Sequence, residues 1–497
     1  MTDTFHKVAI MNKRSEKVGN DVSEVLNYVT EMNNDESVMR PQTPAALNLA
    51  SFLSQPARVL ATNSYLQRQE QRESNARSYP RRLPFALKRG QGIFVEDTEQ
   101  QIFIDCLAAA GTLALGHSHP DVTEALIQAV QSEVPMQTLD LMTPVKDQFM
   151  TQLLDLLPGN MAENARIQMC SPCGSDAVEA ALKLAKIATG RRSILAFSGA
   201  YHGMTHGALA MMGNLGPKSA LSMTGADVQI MPFPYAPRCP YGLGETGIKA
   251  SLYQLETMLT DPESGVAKPA AIIVEAVQGE AGSLPADPTW LKGLRDITKR
   301  HGIVLIIDEI QAGMGRTGKV FAFEHADIEP DVIVVSKALG GGQPLAAVIY
   351  HSDFDTWQPG AHAGTFRGNQ LAMASGLVVM RHLAQEQLHL HAGAMGAKLK
   401  HDLEAIESDV IGDVRGRGLM LGIEIVDPNG ERDALGNFPQ DGQRAKDIQQ
   451  AALRRGLIIE LGGRFGSTIR MLPPLIIQPK EIDVVVTILT DAINSVG

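Results

Sequence analysis

Between about residues 110 and 380, short apolar, β-branched runs alternate with stretches of helical spacing. The runs Ile194–Phe197, Ala271–Val274, Ile303–Ile307, Val332–Val335 and Ala346–Tyr350 are apolar throughout instead of alternating with polar residues. That pattern predicts strands buried on both faces, as in a mostly parallel sheet covered by helices. Ser175–Thr189 and Pro288–Arg300 supply helices of the right length between them. From about residue 385 onward, helical spacing at 391–407, 443–455 and 480–493 mixes with strand-like runs at 419–425 and 468–477, which predicts a smaller α+β domain. The first 75 residues differ. Val22, Val25, Leu26 and Val29 predict one short amphipathic helix, and Asn33-Asn-Asp-Glu-Ser37, Pro41 and Pro44 predict a linker after it. The expected organisation is an arm over 1–75, a large α/β domain over 76–384, whose first part packs with the small domain, and a small domain over 385–497.

Composition narrows this picture. The 497 residues are 44% hydrophobic and 20% charged, as in a globular protein with a large core, so collagen-like, disulfide-scaffold and disordered readings are excluded. The net charge of −11 and the absence of a long basic run argue against nucleic-acid or anionic-membrane partners. No stretch of about 18 apolar residues could span a bilayer. Met1-Thr-Asp-Thr-Phe-His6 lacks the basic start and apolar run of a secretory signal, and four cysteines make no disulfide framework. A reducing, cytoplasmic setting is expected.

Several motifs resemble known sites without their context. Gly313-Met-Gly-Arg-Thr-Gly318 matches a dinucleotide fingerprint and, with Lys319, nearly a P-loop. Val320 stands where magnesium needs a hydroxyl, and no helix opens after it, so a glycine-rich turn is expected. Cys170-Ser-Pro-Cys173 has dithiol spacing but no thioredoxin-sized surroundings. His117 and His119 lack further ligands nearby in sequence, and a helix-capping turn before Pro120 accounts for them; no metal is expected.

Chemistry gathers at the strand ends, where α/β sheets bind ligands. Ile303–Ile307 runs into Asp308-Glu-Ile-Gln311, and Val332–Val335 into Ser336-Lys337. Charges placed there are costly unless met. One account is a partly buried Asp308–Lys337 ion pair. The other gives each charge its own role. A lysine of depressed pKa forms an imine with an aldehyde cofactor, and an aspartate keeps a pyridine nitrogen protonated. The second account also requires a phosphate cup, for which Gly174-Ser175 opens a helix, and a flat wall, for which Tyr201-His202-Gly203 follows a strand.

Asp308-Glu-Ile-Gln311, Glu275-Ala-Val-Gln-Gly-Glu280, Tyr201-His-Gly203, Ser336-Lys-Ala338, Gly364-Thr-Phe366 and Val414-Arg-Gly-Arg-Gly-Leu419 resemble, in order and spacing, the class III aminotransferases. The likeness covers roughly residues 75–495. It implies the fold-type I pyridoxal-phosphate transferase fold and pyridoxal 5′-phosphate as cofactor. By resemblance, Lys337 is the Schiff-base lysine and proton shuttle, Asp308 pairs with the pyridinium nitrogen, and Gln311 contacts the ring hydroxyl. Tyr201, with His202 beside it, stacks on the ring. Gly174 and Ser175 hold the phosphate, and Thr365 reaches it from the other subunit, which implies a homodimer with shared sites. Glu280 and Arg470 form a switch, the glutamate masking the arginine until a 2-oxo acid binds.

Gly174-Ser-Asp-Ala-Val-Glu179, Tyr201-His-Gly-Met-Thr-His-Gly-Ala208 and Thr365-Phe-Arg-Gly-Asn-Gln370 narrow the implied activity to transfer of the terminal amine of L-2,4-diaminobutanoate to 2-oxoglutarate. Alternatives are 4-aminobutanoate or ornithine as donor, a non-transferring enzyme of the same fold, and a silent binding module. Ornithine-using relatives carry a carboxylate-binding arginine where this chain has Met204; Arg367 is the expected replacement.

Overall fold

The computed structural model describes residues 49–60, 62–221 and 227–496; the Val22–Val29 helix and the linker after it lie outside them. Contacts divide the chain into Met1–Phe52 and Leu53–Gly497. Of the first, the described part opens the short helix Leu49–Leu53. All the sheets belong to the second.

Its centre is a seven-stranded sheet in the order Ala165–Met169, Ala347–His351, Val332–Val335, Val304–Asp308, Ala271–Val274, Ile194–Phe197, Val228–Met231. Neighbours from Val332–Val335 to Val228–Met231 are parallel. Ala347–His351 is antiparallel to both of its neighbours, so the sheet is mixed with a parallel majority. Every residue of Ile194–Phe197, Ala271–Val274, Val304–Asp308 and Val332–Val335 is buried, as continuous apolar runs require. Helix Gly174–Thr189 covers the sheet with Ala177, Val178, Ala180, Ala181, Leu184 and Ala185. Its alanines let the helix sit close, and each buried Leu, Ile or Val contributes about 1.5–3 kcal/mol. Gly190, at φ 66°, ends the helix in the left-handed conformation that glycine adopts without a Cβ penalty.

Two smaller sheets flank this core. One joins Leu87–Gln91, Phe94–Asp97 and Ile102–Asp105 to Leu457–Ile458, so early strands pair with a late segment. The other orders Ile411–Arg417, Met420–Ile425, Thr468–Met471 and Glu460–Gly462, packed with helices Leu388–Glu404, Gly442–Arg454 and Pro479–Asn494. The strand expected over 468–477 stops at Met471 because Pro473-Pro474 cannot donate to a ladder.

The look-alike motifs resolve into structure. Residues 313–318 form a run of turns with Met314, Gly315 and Gly318 at positive φ. Buried Arg316 donates to the Leu419 carbonyl at 3.2 Å and to that of Pro473, which makes this loop a joint to the C-terminal segment. Cys170 and Cys173 are free thiols, and burial raises the pKa of Cys170. His117 bonds Asp105 at 2.8 Å. His119 is the N-cap of helix Pro120–Gln131, its ring edge-on to that of His382, which bonds Asp121 at 3.0 Å.

Asp331 ties the amino ends of the sheet together. It accepts two Arg295 bonds of 2.8 Å and one from the Leu305 N–H at 2.8 Å. Asp331→Ala removes all three acceptors and leaves Arg295 unpaired, so it should destabilise the protein by about 2 kcal/mol. The loss should appear as a lowered denaturant midpoint. Lys292→Ala, which removes a 3.8 Å pair between exposed side chains, should leave that midpoint in place.

Candidate active site

Parallel strands bring their carboxyl ends to one edge, and five functional groups meet there. Asp308 ends Val304–Asp308, Glu275 follows Ala271–Val274, and Lys337 follows Val332–Val335. Tyr201 and His202 follow Ile194–Phe197. They surround a cavity of about 180 Å³ that Gly174, Ser175, Gly203, Glu280, Ile310 and Gln311 complete.

Lys337 has φ 48°, a left-handed conformation rare for a residue with a Cβ and costing of order 1 kcal/mol or more. The Ser336 hydroxyl, donating to the Leu345 carbonyl at 2.8 Å, fixes the turn just before it. Burial pushes the Lys337 ammonium down to about 8; Arg470 adds to this, while Glu280, Asp308 and Glu275 oppose it.

The ion-pair account of Asp308 and Lys337 does not hold among the described residues. Asp308 Oδ2 instead bonds His202 Nδ1 at 2.8 Å, and Oδ1 accepts the Ile310 N–H at 3.0 Å. Burial opposes a charge on His202, but the hydrogen bond and negative charge of Asp308 outweigh it, and the pKa of the imidazole is raised. The buried His202 Nε2 has no partner.

Glu275 accepts the Tyr201 N–H and the Gly279 N–H, each at 2.9 Å, which fixes the backbone beneath the Tyr201 ring. Burial drives its carboxyl up to about 7, helped by Asp308 and opposed by His202. This residue was not singled out from the sequence, although it obeys the rule that exposed Asp308: an acid directly after an apolar strand.

Gly174 begins a 16-residue helix whose N-cap, Cys173, makes no side-chain cap, so first-turn N–H groups remain to meet an anion. Ser175 Oγ accepts the Met204 N–H at 3.4 Å. Gly203, at φ 122°, lets the Tyr201 loop press against this helix: a Cβ there would lie 2.2 Å from Ser175 Oγ.

Arg470 is buried just behind the cavity. Its Nη1 donates to Glu280 at 2.8 Å and its Nη2 to Gln311 Oε1 at 2.9 Å. Gln311 is therefore committed to Arg470 and, at 3.3 Å, to the Ala110 carbonyl. The Arg470 side chain is 1% exposed and that of Glu280 44%. Burial raises the carboxyl pKa of Glu280, but Arg470 more than compensates and lowers it overall. Opposite Arg470 on the neighbouring strand stands buried Glu460, which accepts Arg82 Nη1 at 2.8 Å.

Two expected residues do not line the cavity. Thr365 lies in the turn Thr365–Gly368. Arg367 donates to the Gly364 carbonyl at 3.1 Å and approaches Asp140 at 3.6 Å, so within this chain it does not reach the site. Met204 is exposed and offers no charge.

An amine of lowered pKa, a carboxylate fixed at one side of the cavity, an aromatic wall and an uncapped helix start together suit a phosphorylated pyridine aldehyde. The Ser175–Gly203 cradle, closed to any side chain larger than glycine, fits the phosphate end. The fold and this site are those of an aminotransferase. Residues 75–493 match the family model of class-III aminotransferases, and the chain belongs to that family, whose cofactor is pyridoxal 5′-phosphate.

The chain is 53% identical to a diaminobutyrate–2-oxoglutarate aminotransferase of Rhizobium meliloti, over 87% of this chain and 93% of that protein. It is 48% identical to another so named from Haemophilus influenzae, over 86% and 94% respectively. Among solved structures it resembles an amine transaminase from an uncultivated Pseudomonas species in its PLP-bound form. There the TM-score is 0.75 and the identity 26%, over 86% of this chain and 98% of that one.

Two outcomes test the site. In cofactor-free protein, labelling of Lys337 by a small amine-reactive reagent, followed by peptide mass spectrometry, should rise with pH and be half-maximal near 8. Deprotonation creates the nucleophile, so reactivity is lost below that pH, whereas exposed lysines should respond near about 10.4. Gly203→Ala should weaken pyridoxal-phosphate binding at least about tenfold, equivalent to about 1.4 kcal/mol, in an equilibrium titration of the cofactor-free protein.

Proposed function

We propose that this protein moves the terminal amine of L-2,4-diaminobutanoate to 2-oxoglutarate, giving L-aspartate 4-semialdehyde and L-glutamate. One observation carries the reading: a fully buried arginine, Arg470, beside the reactive lysine, masked by a glutamate that half reaches solvent. Such a pair serves two alternating substrates. With Glu280 in place, the site accepts an amine carrying no carboxylate at the reacting end. When Glu280 swings out, Arg470 stays behind as a rigid fork for the α-carboxylate of a 2-oxo acid. The more exposed partner is the one free to move. The names of the two relatives supply the donor and acceptor.

Bound pyridoxal phosphate supplies an electron-withdrawing ring that acidifies the C–H bond beside the amine. Gly174, Ser175 and the helix start would hold its phosphate. Asp308, steadied by His202 and the Ile310 N–H, would hold the proton on the ring nitrogen. Tyr201, its backbone fixed by Glu275, would cover one ring face. Lys337 would anchor the aldehyde carbon and, once freed, carry a proton to and from the substrate carbon; near neutral pH its lowered pKa makes both protonation states accessible. Thr365 would complete the phosphate site from the partner subunit of a homodimer, and a cytoplasmic setting suits the free thiols. On this reading residues 1–75 form an arm, 76–384 the cofactor-binding domain and 385–497 the small domain.

Cofactor-loaded protein should form glutamate from 2-oxoglutarate with L-2,4-diaminobutanoate at higher kcat/KM than with 4-aminobutanoate or ornithine. Lys337→Ala should lower turnover by at least about 10³-fold and abolish the visible absorption band of the loaded protein. A variant that kept full activity would sink the mechanism.

A further inference from the structure

The proposed reaction leaves two substrate groups without partners. L-2,4-diaminobutanoate reacts at one end and carries a carboxylate and an ammonium at the other. 2-Oxoglutarate presents its second carboxylate from the same remote position. Met204 cannot meet that carboxylate, and Arg367 is held by Gly364 and Asp140.

One unassigned ion pair has the right charges. Glu460 pairs in register with Arg470 across antiparallel strands, so the two side chains share a face. Gly462 lies on that same face, and a Cβ there would stand 2.5 Å from Arg470 Cδ and 3.0 Å from the Glu280 carbonyl oxygen. Arg82, at the end of the helical turn Tyr79–Arg82, closes on Glu460 at 2.8 Å. The acid is 7% exposed and the arginine 49%, so a fixed anion meets a movable cation. The position suits a substrate's far end. Tyr79 and Ile458, close in sequence to Arg82 and Glu460, line a second, apolar cavity of about 670 Å³. Arg470, opposite Glu460, is bonded to Glu280 and Gln311 of the smaller cavity.

Resting on the proposed transfer reaction, we infer that Arg82 and Glu460 are specificity-determining residues for the remote end of both substrates. Glu460 takes the α-ammonium of the diamino acid while Arg82 takes its α-carboxylate, so the amino-acid head inserts into the Arg82–Glu460 pair. In the other half-reaction Arg82 alone turns to the distal carboxylate of 2-oxoglutarate. Glu460 thereby separates 2,4-diaminobutanoate from 4-aminobutanoate, which has no ammonium at that end. Glu460 also lies beside Arg470 and Arg82, which oppose the rise that burial causes in its pKa and favour the anion.

The test is a split in kinetic constants, supported by binding of glutarate, a dicarboxylate that cannot react, to the cofactor-loaded protein. Glu460→Gln should raise KM for L-2,4-diaminobutanoate about tenfold or more and leave KM for 2-oxoglutarate within about twofold. It should also shrink the preference for diaminobutanoate over 4-aminobutanoate. Arg82→Gln should raise KM for both substrates and weaken glutarate binding by about tenfold, with kcat little changed. An unchanged donor preference in Glu460→Gln, or unchanged glutarate affinity in Arg82→Gln, would overturn the inference. Failure of the transfer reading itself shows separately, as wild-type protein that makes no glutamate from diaminobutanoate.

Discussion

An acid and an amine at neighbouring strand ends, sheltered from water, attract each other by about 4 kcal/mol at contact, and left alone they would neutralise one another. This site depends on preventing that. Both oxygens of Asp308 are engaged, one by His202 and the other by the Ile310 amide, and Lys337 is left without a close ion-pair partner among the described residues. The lysine accordingly has an amine pushed down to about 8, within reach of neutral pH as a nucleophile and base. His202 therefore decides what Asp308 does without being a charge carrier in the chemistry. The arrangement also explains the crowding of acids: Glu275, pushed up to about 7 by burial, avoids a further full negative charge beside Asp308 while its oxygens tie down the Tyr201 backbone.

The same logic governs the other wall. Arg470 is too deeply buried to stand unpaired, and Glu280 and Gln311 satisfy two of its nitrogens, leaving Nε without a partner. A carboxylate entering from solvent replaces Glu280 with a group of equal charge, so the exchange conserves the electrostatics of a nearly dry pocket. A hydrophobic substitute for Glu280 would strand the guanidinium at a cost of several kcal/mol. Gln311, expected to face the ring hydroxyl, is drawn instead into holding the fork.

Residues that act where a buried strand ends were legible, because the strand betrays itself by composition and the charge by its expense. Lys337, Asp308 and the helix start at Gly174 needed nothing more than that rule. The edge strands Ala165–Met169 and Val228–Met231 escaped notice, since each has a partly exposed face carrying residues such as Arg166 and Gln229, and no continuous apolar run marks them. The opening strand Leu87–Gln91, with Lys88, Arg89 and Gly90, reads as a loop. Its pairing gains order from Phe94–Asp97, not from its own composition. His202 as the partner of Asp308 was equally hidden: 106 residues separate the two, and only sheet order places their loops together.

Arg367 marks the limit of reasoning by position along a motif. It sits two residues beyond Thr365, and a cation there looked available, but its guanidinium turns back to Gly364 and Asp140. The cation that does stand near the mouth, Arg82, lies 378 residues from its partner Glu460 and in a stretch, Tyr79-Pro-Arg-Arg82, without strand or helix periodicity of note. What joins them is topology. The late chain sends Leu457–Ile458 into the N-terminal sheet and, after one residue, Glu460–Gly462 into the C-terminal one. That crossing carries Glu460 from beside the early strands to the face of Arg470, so one short segment connects the fork for the reacting carboxylate with the turn that bears Arg82. Shape and charge at the far end of the site are thus set where the first and last parts of the chain meet, outside the central sheet that provides the chemistry.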